Sequence, residues 1–146
     1  MFSYSIINPP SFNYSKKTID SIFEKVSNII QKPQNGILNI VFLDLDGIKN
    51  LNKTYRGIDK ATDVLSFHYY DDFSILKDGE PAGEVVICED KLKSQALDYN
   101  HSEEKEFYRL LIHSILHILG YDHEYDKDYE IMQSFEDIIW SEVFEK

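Results

Sequence analysis

Apolar residues recur along the chain at two spacings, which predict four strands and five helices in the order βαβαββααα. Short runs rich in β-branched and aromatic residues predict strands at 3–7, 37–43, 64–70 and 84–88. Stretches with apolar residues three or four positions apart predict helices at 17–31, 90–99, 102–119 and 126–145. A shorter helix is expected between a turn at 44–47 and Tyr55, with Gly57 ending it.

This order predicts an α+β fold built on a mixed four-stranded sheet. A helix joins the first two strands, as parallel pairing requires, whereas the last two strands bracket a polar loop and predict a hairpin. The helix at 102–119 is apolar on most sides, so we expect it in the middle of the helical layer. The terminal helix is expected to pack over it through Ile131, Phe135, Ile138, Ile139 and Val143.

The length of 146 residues fits a single domain spanning 1–146, because only short loop-like stretches separate the predicted elements. The sequence has no repeat, no run of apolar residues long enough to cross a membrane and no secretory signal, so a cytoplasmic protein is the default expectation. Cys88 is the only cysteine, which excludes an internal disulfide. A bound metal would therefore need nitrogen or oxygen ligands.

The formal net charge of -11 argues against broad, non-specific attraction to nucleic acid, which depends on clustered cations. It leaves room for a local basic groove. Lys49, Lys53, Arg56 and Lys60 form such a concentration in an otherwise acidic chain. A solvated helix face is the simpler explanation of this pattern.

Three histidines stand in the segment HSILHILGYDH, at a spacing that commonly holds a catalytic zinc ion. His113 and His117 are four positions apart, so on a helix their side chains project from the same face, with Cβ atoms about 6 Å apart. Gly120 can adopt the left-handed conformation that ends a helix, turning the chain so that His123 reaches the same ion. Three protein ligands leave a fourth position for water, which is typical of a catalytic site.

The apolar surroundings of these histidines favour metal binding. A buried imidazole costs about 1 to 3 kcal/mol unless a hydrogen bond or a metal satisfies its ring nitrogens. One zinc ion per chain would satisfy three rings together. The alternative is a set of ordinary core histidines bonded to carbonyls, but the third histidine and the glycine favour the metal.

The spacing HxxxHxxGxxH also occurs in zinc peptidases of the metzincin type, where a glutamate directly after the first histidine activates water. Ser114 occupies that position here and cannot take a proton as a carboxylate does. A metallopeptidase would have to use another base, such as Glu84 or Asp63. This enzyme class stays open as an alternative.

A second set of motifs points to a different family. The segment NKTYRGIDKATDVLSF at 52–67, GEVVI at 83–87 and the histidine segment at 113–123 together resemble the YbeY family of bacterial ribosomal RNA maturation factors and endoribonucleases. Three positions depart from that family's pattern: Ser114 replaces a glycine, Glu84 replaces an aspartate, and His68 replaces a proline.

The resemblance implies a zincin-like fold, one Zn²⁺ on the three histidines, and Arg56 in the active-site cleft. The planar guanidinium of Arg56 suits bidentate contact with the scissile phosphodiester, and an ordinary surface pair with a carboxylate such as Asp59 is the alternative. Asp63 and Asp122 are candidates for carboxylates that orient a ligand histidine, and Asp122 fits a turn residue equally well. Ser66 is a further candidate for contact with a backbone phosphate, or for a bond to local main chain.

The function implied by this resemblance is a zinc-dependent, single-strand-specific endoribonuclease. It would act in ribosomal RNA maturation, including processing of the 3′ end of 16S rRNA, and in ribosome quality control. Its expected partners are ribosomal RNA and ribosomal particles or assembly proteins. A non-catalytic ribosome assembly factor with a structural zinc is the alternative from another class. The nucleophile, either water or a ribose 2′-hydroxyl, and the oligomeric state stay open.

Overall fold

Four strands form one mixed sheet in the computed structural model, which describes residues 1–145. Residue 146, the last of the predicted domain, lies outside the described residues. The α+β class and the element order are as predicted. The strands are β1 (Ser3–Ile7), β2 (Ile37–Leu43), β3 (Val64–His68) and β4 (Pro81–Cys88). The helices are α1 (Lys16–Ile29), α2 (Leu45–Arg56), α3 (Glu89–Asp98), α4 (Glu103–Ile118) and α5 (Asp126–Phe144), with a 3₁₀ turn at Phe73–Ile75.

Polar side chains fix the starts of three helices. Ser15 Oγ accepts a hydrogen bond from the third backbone N–H of α1 at 3.2 Å. Asp44 Oδ1 accepts from Gly47 N at 2.7 Å at the start of α2. Ser102 caps α4 in the same way, at 3.1 Å. Each bond satisfies one of the backbone donors that a helix leaves unpaired at its first turn.

The strands lie in the order β1-β2-β4-β3. β1 and β2 are parallel, as the crossover helix α1 requires, and β3 and β4 form the predicted antiparallel hairpin. β3 ends at His68 rather than at residue 70, and β4 begins at Pro81 rather than at residue 84. The pattern missed the start of β4 because Pro81, Ala82 and Gly83 are poor strand formers, and pairing with β2 overrides that preference.

The sheet has an apolar core on each face. The larger core combines α1, α4 and α5 with one side of the strands, and includes Phe23, Phe42, Phe107 and Leu111. The smaller core lies under α2 and is formed by Ile48, Leu65, Val86 and Cys88. Cys88 thus packs as a small apolar residue.

The central helix α4 is buried along most of its length, as predicted. The predicted contact face of α5 was partly wrong. Ile139 is fully buried, while Phe135 and Val143 pack against the core, but Ile131 and Ile138 are 40% and 44% exposed. α5 packs against α1 as well as α4. That rotates its buried stripe toward Met132 and Trp140, which were not among the five residues of the predicted contact face.

None of the helices in residues 1–145 is long and apolar enough to cross a bilayer.

Gly83 pairs with His68 in the hairpin of β3 and β4. A Cβ atom on Gly83 would overlap the backbone oxygen of Phe67. No side chain fits that gap, so the hairpin would have to separate to admit one.

We therefore expect Gly83→Ala to lower the free energy of unfolding by about 1 to 3 kcal/mol, measured by urea denaturation. Gly57→Asn is the matched control, because Gly57 has a φ of +70° and a Cβ atom there would meet nothing within 4 Å. Asparagine tolerates that backbone conformation, so the control should cost less than about 1 kcal/mol. Equal losses in the two variants would contradict the close approach.

Candidate functional site

The end of α4 is a tight left-handed turn. Gly120 has a φ of +99°, a conformation that glycine adopts without strain. Gly120 N donates to the carbonyl of His117 and Tyr121 N donates to that of Leu116, each at 3.0 Å, which is the Schellman pattern. Lys32 Nζ donates to the carbonyl of Leu119 at 2.8 Å. The chain is thereby turned back directly after the helix.

This turn brings the three histidines of the motif together. The ring centroids of His113 and His117 are 4.6 Å apart. The ring centroid of His123 lies 5.6 Å from that of His113 and 5.1 Å from that of His117. One nitrogen from each ring lies within 4.8 Å of the other two. The three side chains form a cluster that could hold a metal ion.

The spacing within the cluster suits zinc. Zn–N bonds of 2.0–2.1 Å in tetrahedral geometry place two ligand nitrogens about 3.4 Å apart. The Nε2 atoms of His113 and His117 are 3.1 Å apart. The donor set and this separation therefore fit the ion, with a small adjustment of the rings.

Burial affects the charge state of the cluster. It lowers the pKa of His117, and the nearby rings of His113 and His123 lower that pKa further. Each of these effects disfavours the imidazolium form. His117 is thus kept neutral, which is the form that binds a metal.

Glu136 is a site residue that the sequence prediction missed. Its Oε1 atom lies 2.5 Å from His113 Nδ1, on the side of the ring opposite the Nε2 atom that faces the cluster. A carboxylate in this position holds the proton on Nδ1 and fixes the ring orientation. The available signal was the register of α5: Glu136 is four positions after Met132 and three before Ile139, so it falls on the buried stripe.

The cluster lies in an open cleft of about 860 Å³. The cleft runs between α4 and the edge strand β3 and reaches the last turn of α2. Its lining residues are Tyr55, Arg56, Thr62, Asp63, Val64, Leu65, Ser66, Phe67, His68, His113, His117, Gly120, Tyr121, Asp122 and His123. The cleft therefore brings together seven candidate site residues: Arg56, Asp63, Ser66, His113, His117, Asp122 and His123.

Arg56 is exposed, and no carboxylate of residues 1–145 lies within ion-pair distance of it. Asp59, the partner considered from the sequence, instead lies 3.9 Å from Lys49 and 4.0 Å from Lys53. The guanidinium of Arg56 therefore faces the cleft without an acidic partner in the described chain.

Ser66 joins the cleft wall to the helix that carries the first two histidines. Its hydroxyl lies 2.5 Å from that of Ser114, which is fully buried between α4 and β3. Ser114 stands where a metzincin carries its glutamate, and here its side chain bonds to Ser66. Of the two carboxylates considered as a replacement base, Glu84 does not line the cleft; burial and, next, this carboxylate raise the pKa of Tyr69.

Asp63 and Asp122 line the cleft but bond to other groups. Asp63 accepts from Val64 N at 2.8 Å and from Gln95 Nε2 at 3.1 Å. Asp122 accepts a hydrogen bond from Glu124 N at 3.2 Å. It therefore acts as a turn residue, which was one of the two roles considered for it from the sequence. Within residues 1–145, the carboxylate bonded to a ring of the cluster is that of Glu136. Substrate contact by either aspartate stays a prediction.

The free side of β3 forms part of the cleft. The N–H of Tyr69 and the carbonyl of Asp63 bond to β4, each at 2.9 Å. Backbone groups of alternate residues in an antiparallel pair face opposite sides. Those of Ser66 and His68 therefore face the open edge.

Fold and site together define a class of α+β protein in which three histidines, on and just after one helix, face a cleft beside an edge strand. The family model for Endoribonuclease YbeY matches residues 8–143, and the chain belongs to this family. The resemblance found in the sequence motifs is thus confirmed.

Individual relatives agree. The chain is 37% identical over 132 residues to the Endoribonuclease YbeY of Fusobacterium nucleatum, covering 88% of this chain and 81% of that protein. It is 37% identical over 136 residues to that of Mycoplasmopsis pulmonis, covering 90% and 89%. The solution structure of TM1509 from Thermotoga maritima matches with a TM-score of 0.62 at 29% identity, covering 97% of this chain and 89% of that one.

The contact between Glu136 and His113 generates a prediction about metal affinity. Glu136→Ala should weaken zinc binding about 10- to 100-fold, because His113 loses the acceptor that fixes its ring. Glu136→Gln should lose less, since an amide oxygen can accept the same hydrogen bond. Competition with a chromophoric chelator measures the affinity.

Asp137→Asn is the matched control, because Asp137 is exposed on the same helix and accepts from Gln133. It should bind zinc as the wild type does. Equal affinities of Glu136→Ala and Asp137→Asn would contradict the orienting role.

Proposed function

We propose that the protein is a zinc-dependent endoribonuclease that cuts single-stranded ribosomal RNA in the cytoplasm. Its tasks would be maturation of ribosomal RNA, including the 3′ end of 16S rRNA, and ribosome quality control. The observation that carries the proposal is the cleft itself, where three convergent histidines face the same space as an arginine that has no ion pair within residues 1–145. Family membership supports the choice of RNA as substrate.

The proposed ligands are one ring nitrogen each from His113, His117 and His123, in a zincin-like arrangement. When bound, a zinc ion on three neutral imidazoles lowers the pKa of a coordinated water and withdraws charge from a phosphoryl oxygen. Glu136 orients the His113 ring toward the cluster. His123 is exposed at the cleft mouth, so the cluster is open to solvent on that side.

Arg56 is the proposed phosphate-binding residue. A guanidinium without a carboxylate partner is free to make two parallel hydrogen bonds to a phosphodiester. Those bonds strengthen as negative charge develops on the phosphoryl oxygens. Lys49 and Lys53 are exposed on the same helix and add weaker attraction for the RNA backbone, although Asp59 offsets part of their charge.

A metallopeptidase is the second candidate, and the open edge of β3 favours it. An extended peptide can add to such an edge through main-chain hydrogen bonds. The position of a peptidase base, however, is taken by Ser114, which is buried and bonded to Ser66. Incubating the protein in parallel with ribosomal RNA fragments and an unfolded protein separates the two functions. We expect only the RNA to be cut.

The non-catalytic alternative, an assembly factor with a structural zinc, is tested by cobalt substitution. We expect the absorption spectrum of a site with three histidines and an exchangeable water, which shifts when an anion is added. A spectrum unaffected by anions would indicate a fourth protein ligand and favour the structural role.

His117→Ala should remove both bound metal and RNA cleavage. The ring is central to the cluster, and its loss leaves only two ligands. Metal content by mass spectrometry and cleavage of a defined ribosomal RNA fragment are the measurements. Metal-stripped wild type is the control, and it should regain activity on addition of zinc. Stripped protein that cuts as fast as the loaded form would refute the zinc-dependent mechanism.

Arg56→Ala should lower kcat/KM for RNA cleavage by about 100- to 1,000-fold while leaving metal content unchanged. Arg56→Lys should recover only part of this loss, because an ammonium cannot make the bidentate contact. Lys53→Ala, one turn earlier on α2, is the matched control and should change kcat/KM by only a few-fold. A loss as large in Lys53→Ala as in Arg56→Ala would mean that general positive charge, and not the guanidinium, is required.

A further inference from the structure

Tyr55 is an exposed aromatic residue inside the cleft. Its side chain is 66% exposed, although it stands directly before Arg56 and both residues line the same space. Its ring packs against that of Phe67, with centroids 5.4 Å apart and planes inclined by 67°. One side of the Tyr55 ring is thus supported by the protein while much of its surface faces solvent.

Phe67 holds this pair in place. It lies on β3, is half-buried, and packs against the core of Ile48, Leu65, Val86 and Cys88. Tyr55 is on the last turn of α2, on the same side of the sheet. Because the Tyr55 ring already rests against Phe67, part of its side-chain freedom is lost before a flat ligand binds.

We propose that Tyr55, supported by Phe67, is a stacking platform for one unpaired nucleobase of the RNA strand whose phosphate contacts Arg56. The inference rests on the proposed function and adds the part of the substrate that the cleft recognises. A base and its phosphate are joined by one sugar, so a strand that places phosphate on Arg56 brings a base close to the neighbouring ring.

The chemistry of the pair favours a nucleobase over other flat or apolar groups. Aromatic side chains bind bases of any sequence through their π-faces, usually beside cations that hold the backbone. Here the cation is Arg56, which has no acidic partner among residues 1–145. A base in a duplex is already stacked on both faces, so only an unpaired base can use the platform. The proposed preference of the protein for single-stranded RNA then follows from the position of Tyr55 on the cleft wall.

The test is equilibrium binding of metal-free protein to a short single-stranded RNA, which avoids cleavage and is independent of the proposed chemistry. The RNA carries 2-aminopurine at one position at a time. We expect quenching of its fluorescence at one position on binding to wild-type protein. Tyr55→Leu should abolish that quenching and weaken binding about 5- to 150-fold, whereas Tyr55→Phe should keep both.

An abasic nucleotide at the quenched position supplies the decisive comparison. It should weaken wild-type binding as much as Tyr55→Leu does, and Tyr55→Leu should then add no further loss. Tyr129→Leu is the control, because this tyrosine is 53% exposed on α5 and does not line the cleft. It should bind both strands as the wild type does.

Two results would overturn the platform. One is unchanged binding and quenching in Tyr55→Leu, and the other is an equal loss of affinity for the normal and the abasic strand. Cleavage of RNA by the zinc-loaded wild type, measured separately, decides the proposed function. If the protein cuts RNA but Tyr55→Leu leaves binding unchanged, only the platform is refuted. If a base stacks on Tyr55 but the protein does not cut RNA, only the nuclease function is refuted.

Discussion

The site depends on the close packing of three imidazoles, which brings one nitrogen of each ring within 4.8 Å of the other two. Burial and the adjacent rings lower the pKa of His117, and the carboxylate of Glu136 holds the His113 proton on the outer nitrogen. The first keeps His117 neutral, and the second directs the lone pair of His113 Nε2 into the cluster. The buried path of α4 and the left-handed turn at Gly120 supply the geometry that this electronic arrangement requires.

Much of this arrangement could be predicted from the sequence because it is local. His113 and His117 share a helix face through four-residue spacing, and a glycine three positions later fixes the return of the chain. The pairing of the strands could also be predicted, because a helix between two strands requires parallel pairing and a short polar loop permits a hairpin. The apolar periodicity of α4 predicted its burial for the same reason.

Features that depend on contacts between distant segments could not be predicted in this way. The bond between Glu136 and His113 exists because α5 packs on α4 with one particular rotation, and that rotation is set jointly by α1. The same rotation explains why Ile131 is exposed, although its hydrophobicity suggested burial. Ser66 was a candidate for contact with a backbone phosphate, and that contact stays a prediction. The bond of its hydroxyl to Ser114 could not be predicted, because only the approach of α4 to β3 determines that pairing.

The contribution of α5 to the cluster also has a consequence for biosynthesis. Ribosomes add about 5–20 residues per second from the N-terminus, so the segment carrying Arg56 and Phe67 emerges well before the histidine helix, and Glu136 emerges last. A nascent chain that still holds α5 in the exit tunnel therefore has the cleft wall but an unsupported set of histidines. Assembly of the complete centre therefore waits until α5 has left the tunnel and can pack on α4.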